Sequence, residues 1–172
     1  MADVVVVGDA VVDVLEEPDG SRRSFPGGAA LNTAVGLSIL GHDVAQVAAL
    51  GQDPEGFWLE RYLRDHGVRL IRSRSIDFTG RAISRRVDGE PSYTFNDALR
   101  RRRLSPPRAA DELVAGAGAV VVNSYPFDDP AQVADLVALL RTSGPLRVVD
   151  PNPRPALIDD GAAYRAGFES VL

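Results

Sequence analysis

Four short runs of the 172-residue chain are apolar at nearly every position: residues 4–7, 44–50, 119–122 and 146–149. Strands that are apolar on both faces belong in a parallel sheet covered by helices on both sides. The stretches between them read as helices. Asp129-Pro130 sets an N-cap ahead of a proline at the first helical position. Val133, Leu136, Val137 and Leu140 then share one face, and Gly144 follows the end. Asp53-Pro54 opens a second helix in the same way, with Leu59, Tyr62 and Leu63 on its apolar side and Gly67 as its stop. A third helix, from about Ala29 to Leu40 and halted by Gly41, is apolar nearly all round, which predicts burial.

Residues 72–96 break this rhythm. Residues 82–87 and 92–96 alternate as strands do, and Asp88-Gly89 between them is a hairpin turn signal. Tyr93 and Phe95 point to one face, Ser92, Thr94 and Asn96 to the other. The pattern predicts an α/β body from which a small β-sheet projects, with residues 22–25 adding a strand to it.

Composition narrows the chemistry. The chain has no cysteine, which excludes disulfides, zinc–thiolate sites and thiol nucleophiles. All 19 basic residues are arginine, so a Walker A loop, a protein-kinase strand lysine and a Schiff-base lysine are impossible. A net charge of −5 argues against a nucleic-acid footprint. No apolar run approaches the roughly 20 residues that span a bilayer. No basic region precedes the apolar start, so no signal peptide and a cytoplasmic location are expected.

The richest segment is residues 25–34, Phe-Pro-Gly-Gly-Ala-Ala-Leu-Asn-Thr-Ala. Gly27 and Gly28 let backbone approach a ligand closely, and the helix start behind them offers unpaired N–H groups. Asn32, one turn in, both donates and accepts. That chemistry fits a polyhydroxylated ligand. The spacing of Gly27-Gly28, Asn32, Ala34, Gly41 and Gly51 resembles the first signature of the PfkB carbohydrate kinase family, which includes ribokinase, fructokinase and 2-keto-3-deoxygluconate kinase. Ala30 stands where many members carry glycine.

The resemblance implies a ribokinase-like, three-layer α/β/α fold with a mostly parallel sheet and a projecting lid. Residues 1–172 would be its N-terminal part, with lid strands at about 22–26 and 72–97. Asp13, in the exit of the first strand, matches the family's sugar-binding aspartate and is expected at a strand's carboxyl end. Gly27, Gly28, Asn32 and Asn123 are expected beside it. Asp150-Pro151-Asn152-Pro153-Arg154 resembles a segment of fructokinase-like and 2-keto-3-deoxygluconate-kinase-like members. Asp150, Asn152 and Arg154 are its candidate contacts to substrate or phosphate, Arg154 through its fork of donors. Arg81, Tyr93 and Phe95 belong to the implied lid, whose closure would exclude water from the acceptor. Family members pair through such lids, which makes a homodimer an expectation.

The family's catalytic segments are a Gly-Ala-Gly-Asp anion hole with its aspartate base and an Asn-x-x-Glu that organises magnesium. Neither occurs here; the only Gly-Ala-Gly, residues 116–118, precedes a strand. ATP and Mg2+ are implied for the complete enzyme, with little binding expected to this chain. The chain is expected to stop inside a helix, to lack the nucleotide-binding half, to be inactive alone and to be marginally stable. A non-catalytic sugar-binding or assembly fragment is the alternative. A dinucleotide-binding oxidoreductase domain ranks below both, because Gly-x-Gly-x-x-Gly does not follow the first strand. Asp9 reads as a strand-end residue, Arg100–Arg103 as an exposed loop, Phe57 and Trp58 as packing residues, and His42 and His66 as helix-end residues.

Overall fold

Five parallel strands form the body. They are β1 (Val4–Gly8), β4 (Val44–Ala48), β5 (Arg69–Arg72), β8 (Ala119–Asn123) and β9 (Leu146–Asp150), in the order β5-β4-β1-β8-β9. The computed structural model describes residues 2–73, 78–87, 90–141 and 146–172. The Asp88-Gly89 turn and the Gly144 helix stop lie outside these residues.

The all-valine β1 shows why the strand is apolar on both sides. Val5 and Val7 pack with Leu136 and Leu139 of α5 (Pro130–Leu140) and with Val114 of α4 (Arg108–Gly116). Val4 and Val6 pack on the opposite face with Leu31 and Ala34 of α1 (Ala29–Ile39) and Leu59 and Leu63 of α2 (Pro54–Asp65). The result is three layers, and the body sheet is wholly parallel. Each fully buried valine or leucine contributes about 1.5–3 kcal/mol.

A second sheet, in the order β3-β2-β6-β7, projects from this body. It contains β2 (Val11–Glu16), β3 (Arg22–Gly27), β6 (Arg81–Val87) and β7 (Glu90–Phe95). Its strand β2 is separate from β1: only Asp9 and Ala10 lie between them. Asp13 therefore sits inside a lid strand, opposite Phe25 and Ala82, and not at the end of a body strand. The expectation ended the first strand at Val7 and read the residues up to Asp13 as its exit, so β2 was not anticipated. Strand β5 was also not anticipated, since arginines close both its ends.

Three further expectations change. Helix α1 buries only Ala30, Leu31, Ala34 and Val35, while Ile39 and Leu40 are 72% and 76% exposed, because a helix lying on a sheet covers one face. Phe57 is exposed, with the Arg72 guanidinium 5.8 Å from its ring centre, and Trp58 is partly exposed. The last helix, α6 (Gly161–Glu169), ends at its C-cap Ser170 and does not run on to Leu172. No helix among the described residues is long and apolar enough to cross a membrane.

Lid and body are clipped together at Asp53. Its Oδ1 accepts from the Gly56 N–H at 2.7 Å, capping α2, and from the Thr79 hydroxyl at 2.6 Å. Its Oδ2 accepts from the Thr79 N–H at 2.8 Å, just ahead of β6. Burial alone would push this carboxyl up. The bonds from Thr79 and Gly56 and the charge of Arg81 hold it below its ordinary value. A depressed carboxylate contributes stability above its unfolded value of 3.8 that is lost as pH falls through the folded value. Asp53→Ala is expected to cost about 1–2 kcal/mol at neutral pH, as removal of an N-cap does. Urea denaturation of both proteins at neutral pH and near pH 3 checks this: the difference should shrink in acid.

Candidate functional site

The parallel register brings three strand ends level. Gly8 of β1 pairs with Asn123 of β8, and Asn123 pairs with Asp150 of β9. Over this row of carboxyl ends the lid leans, and a cleft of about 380 Å³ lies between them. Ligands of open α/β sheets bind at this end of the strands.

Most of the expected residues meet in this cleft. Asp13, Gly28 and Asn32 line one side, Tyr93 and Phe95 of the lid cover it, and Asp150, Asn152 and Arg154 line the other side. Three expected residues are not on its wall. Gly27 stands behind Asp13: a Cβ on Gly27 would lie 2.1 Å from Asp13 Oδ2. Asn123 is buried behind Asp150, to whose Oδ2 it donates at 3.3 Å. Arg81 turns away to donate to Glu55 on α2 at 2.6 Å.

The glycines serve the chain's own packing before any ligand. Gly28 has φ 103°, and a Cβ there would come 2.9 Å from the Asp9 carbonyl oxygen. The N–H groups at the α1 start are not free as expected. Asp9 takes two of them: its Oδ1 accepts from Ala30 N–H at 3.1 Å and its carbonyl from Leu31 N–H at 3.2 Å. Buried Gln46 also donates to the Asp9 carbonyl, at 3.2 Å.

The opposite wall is equally fixed. The Asp150 Oδ1 accepts from the Asn152 N–H at 3.0 Å, and the Asn152 amide donates to the Ser124 hydroxyl at 2.6 Å. The Tyr164 hydroxyl donates to the Pro151 carbonyl at 2.6 Å. Asn152 and Ser124 hold left-handed backbone, with φ 40° and 52°. The segment is thus shaped by its own side chains.

Four polar lining residues were missed: Asp9, Arg102, Ser124 and Tyr164. Arg102 corrects the exposed-loop reading of Arg100–Arg103. Leu99 and Leu104 are buried on either side of it and turn its side chain into the cleft. Burial pushes the carboxyls of Asp9 and Asp13 up; Arg102 draws the first back and Arg154 the second. Asp13 opens to solvent through the cleft mouth, so its shift reflects crowding by protein and not full enclosure.

The pfkB family carbohydrate kinase model matches residues 1–166. The chain belongs to the PfkB family of carbohydrate kinases. It is 30% identical over 177 residues to a fructokinase of Salmonella typhimurium, covering 99% of this chain and 57% of that protein. It is 41% identical over 98 residues to a fructokinase of Escherichia coli, covering 55% of this chain and 32% of that one. Fructokinase with bound ATP from Xylella fastidiosa superposes with a TM-score of 0.78 at 22% identity, over 97% of this chain and 58% of that one. Ribokinase from Giardia lamblia gives 0.76 at 20% identity, over 92% and 57%. These structures confirm the ribokinase-like fold. This PfkB chain spans little more than half the length of such relatives.

Gly27→Ala is expected to turn the Asp13 carboxylate out of its place at a stability cost of about 1–3 kcal/mol, as overpacking does. Urea denaturation reads the cost, and the carboxyl carbon-13 resonance of Asp13 reads the displacement. An unmoved resonance refutes the contact.

Proposed function

We propose that this chain is the sugar-binding portion of an ATP-dependent carbohydrate kinase that phosphorylates a sugar hydroxyl. One observation carries the reading: Asp13, Asn32 and the two lid aromatics face a single polyol-sized cleft at the strand ends. A carboxylate accepts from sugar hydroxyls, and the Asn32 amide both donates and accepts. Tyr93 and Phe95 offer flat apolar faces for the C–H side of a sugar ring. Enclosure under the lid keeps water from competing as the phosphoryl acceptor.

The fructokinase relatives and the Asp150–Arg154 wall favour a fructose-like sugar or a keto-sugar acid. The Arg154 guanidinium makes no hydrogen bond or ion pair with the described residues, and it is open to a carboxylate or phosphate oxygen. Among the described residues no three carboxylates or imidazoles converge as metal ligands. What these residues do is bind the sugar, orient its hydroxyls and exclude water. ATP with Mg2+ belongs to the complete enzyme, in which positioning and charge stabilisation carry phosphoryl transfer.

The absence of Gly-Ala-Gly-Asp from these 172 residues favours a second reading, binding without turnover. A coupled assay with fructose is expected to show no ADP release by this chain alone, and turnover clearly above background refutes that division. Calorimetry tests the first reading with D-fructose, D-ribose and 2-keto-3-deoxygluconate. Binding of at least one sugar is expected, with Asp13→Ala weakening it about 10- to 100-fold, the worth of a hydrogen bond to a charged group. The ionised Asp13 is the acceptor, so affinity falls as pH drops through its raised value. No heat with any sugar overturns the proposal.

A further inference from the structure

Asp9 and Arg102 are charged groups in the cleft wall for which the proposed function has no use. They come together from distant parts of the chain. Asp9 follows β1, whereas Arg102 follows α3 (Asp97–Arg100). Both line the main cleft, and both line the narrow crevice that runs beneath it beside Val11 and Leu99.

Each keeps part of its bonding capacity open. Asp9 is held by Oδ1 on the Ala30 N–H, and no other described residue donates to Oδ2. Among the described residues the Arg102 side chain makes one hydrogen bond, from Nη1 to the Leu99 carbonyl at 3.2 Å. No carboxylate among the described residues lies within 4 Å of its guanidinium. A half-buried guanidinium with most of its five donors unused is costly unless something else meets them.

The surroundings hold Arg102 in place. Buried Gln132 donates to the Arg102 carbonyl at 3.3 Å and accepts from the Leu104 N–H at 2.7 Å. The Tyr125 hydroxyl, 3.0 Å from the Leu104 carbonyl and 2.7 Å from that of Gln132, fixes the same turn. Arg101, one residue earlier, faces the outer groove and lies 3.7 Å from Asp97.

We propose that Asp9 and Arg102 form a second charged subsite of the cleft, next to Asp13 and Asn32, that binds a vicinal pair of hydroxyls. One hydroxyl donates to Asp9 Oδ2, and its neighbour accepts from the Arg102 guanidinium. The ligand class is a polyol long enough to reach past Asp13. The subsite rests on the sugar-binding reading above.

Charge ties the two residues together. Burial raises the Asp9 carboxyl, the Ala30 N–H and Arg102 lower it, and Asp13 raises it again. Arg102 itself is pulled down by burial and supported by Asp9, Asp128 and Tyr164. Binding through ionised Asp9 is present above its folded value and lost as pH falls through it. Removing Arg102 raises that value, so the loss begins at higher pH.

Calorimetry with the full chain and D-fructose, D-ribose and 2-keto-3-deoxygluconate from about pH 5 to 8.5 tests this. Arg102→Met is expected to weaken binding about tenfold and to move its acid limb up by roughly one pH unit. Asp9→Asn leaves only the acid limb that Asp13 carries, and Arg101→Met leaves the limb in place. If Arg102→Met binds as the wild type does while Asp13→Ala fails, the subsite is wrong and the sugar reading stands. If the wild type binds none of the three, the sugar reading falls and takes the subsite's ligand with it. The coupling has its own readout without sugar: the Asp9 carboxyl titration by carbon-13 resonance must move upward in Arg102→Met. An unmoved Asp9 overturns the pair.

Discussion

The cleft depends on how the end of β1 is held against the start of α1. Asp9 does this twice, with Oδ1 on Ala30 N–H and its carbonyl on Leu31 N–H. Gln46, buried on the next strand, secures the same carbonyl. Without a side chain at Gly28 the helix start comes close enough for these bonds. Asn32, one turn later, is thereby set facing the cleft. Because the link from β1 to β2 is only two residues, the same anchor also fixes where the lid leaves the body. Asp13, four positions on, can then stand on the same side of the cleft as Asn32. A helix start that is already satisfied is rigid, and rigidity of the supporting elements is what a binding constellation needs.

The body was legible because its strands are buried on both faces. Val4–Val7 has no polar position to misplace, and its odd and even residues fill two different cores. The helices α2 and α5 were legible for a different reason. Asp53-Pro54 and Asp129-Pro130 carry their start signals in local chemistry, and both aspartates do accept the expected N–H bonds. Legibility declined where the local signal was shared between two elements. The valines of β2 read as the exit of β1, and only Gly8, at φ 153°, marks the break between two strands. Strand β5, arginine at both ends, owes its place to pairing with β4 and not to its own pattern.

The site was legible as far as a motif could carry it. Asp13, Gly28, Asn32 and the Asp150–Arg154 segment share one cleft. Asn123 and Gly27 were found at the right place and in the wrong layer: each stands behind a carboxylate that faces the cleft. Arg102 was hidden for a physical reason. Four consecutive arginines have no periodicity, so nothing local distinguishes the inward one. The choice is made at a distance, by Gln132 and Tyr125 gripping the backbone around Leu104.

The absence of lysine changes what such a cleft can do with pH. A half-buried lysine loses its proton readily, whereas guanidinium keeps its charge under the same burial. Arg102 and Arg154 therefore act as constant charges in the cleft wall. No histidine lines the cleft among the described residues. Burial pushes the Tyr164 phenol up, farther from neutrality. The groups left to titrate on the acid side of neutrality are carboxyls, and Asp9 and Asp13 are the two displaced toward it. Each has its own fixed cation, Arg102 for one and Arg154 for the other. A cleft built this way separates its tasks. The arginines set how strongly the carboxylates are held ionised, and the carboxylates alone carry the response to pH.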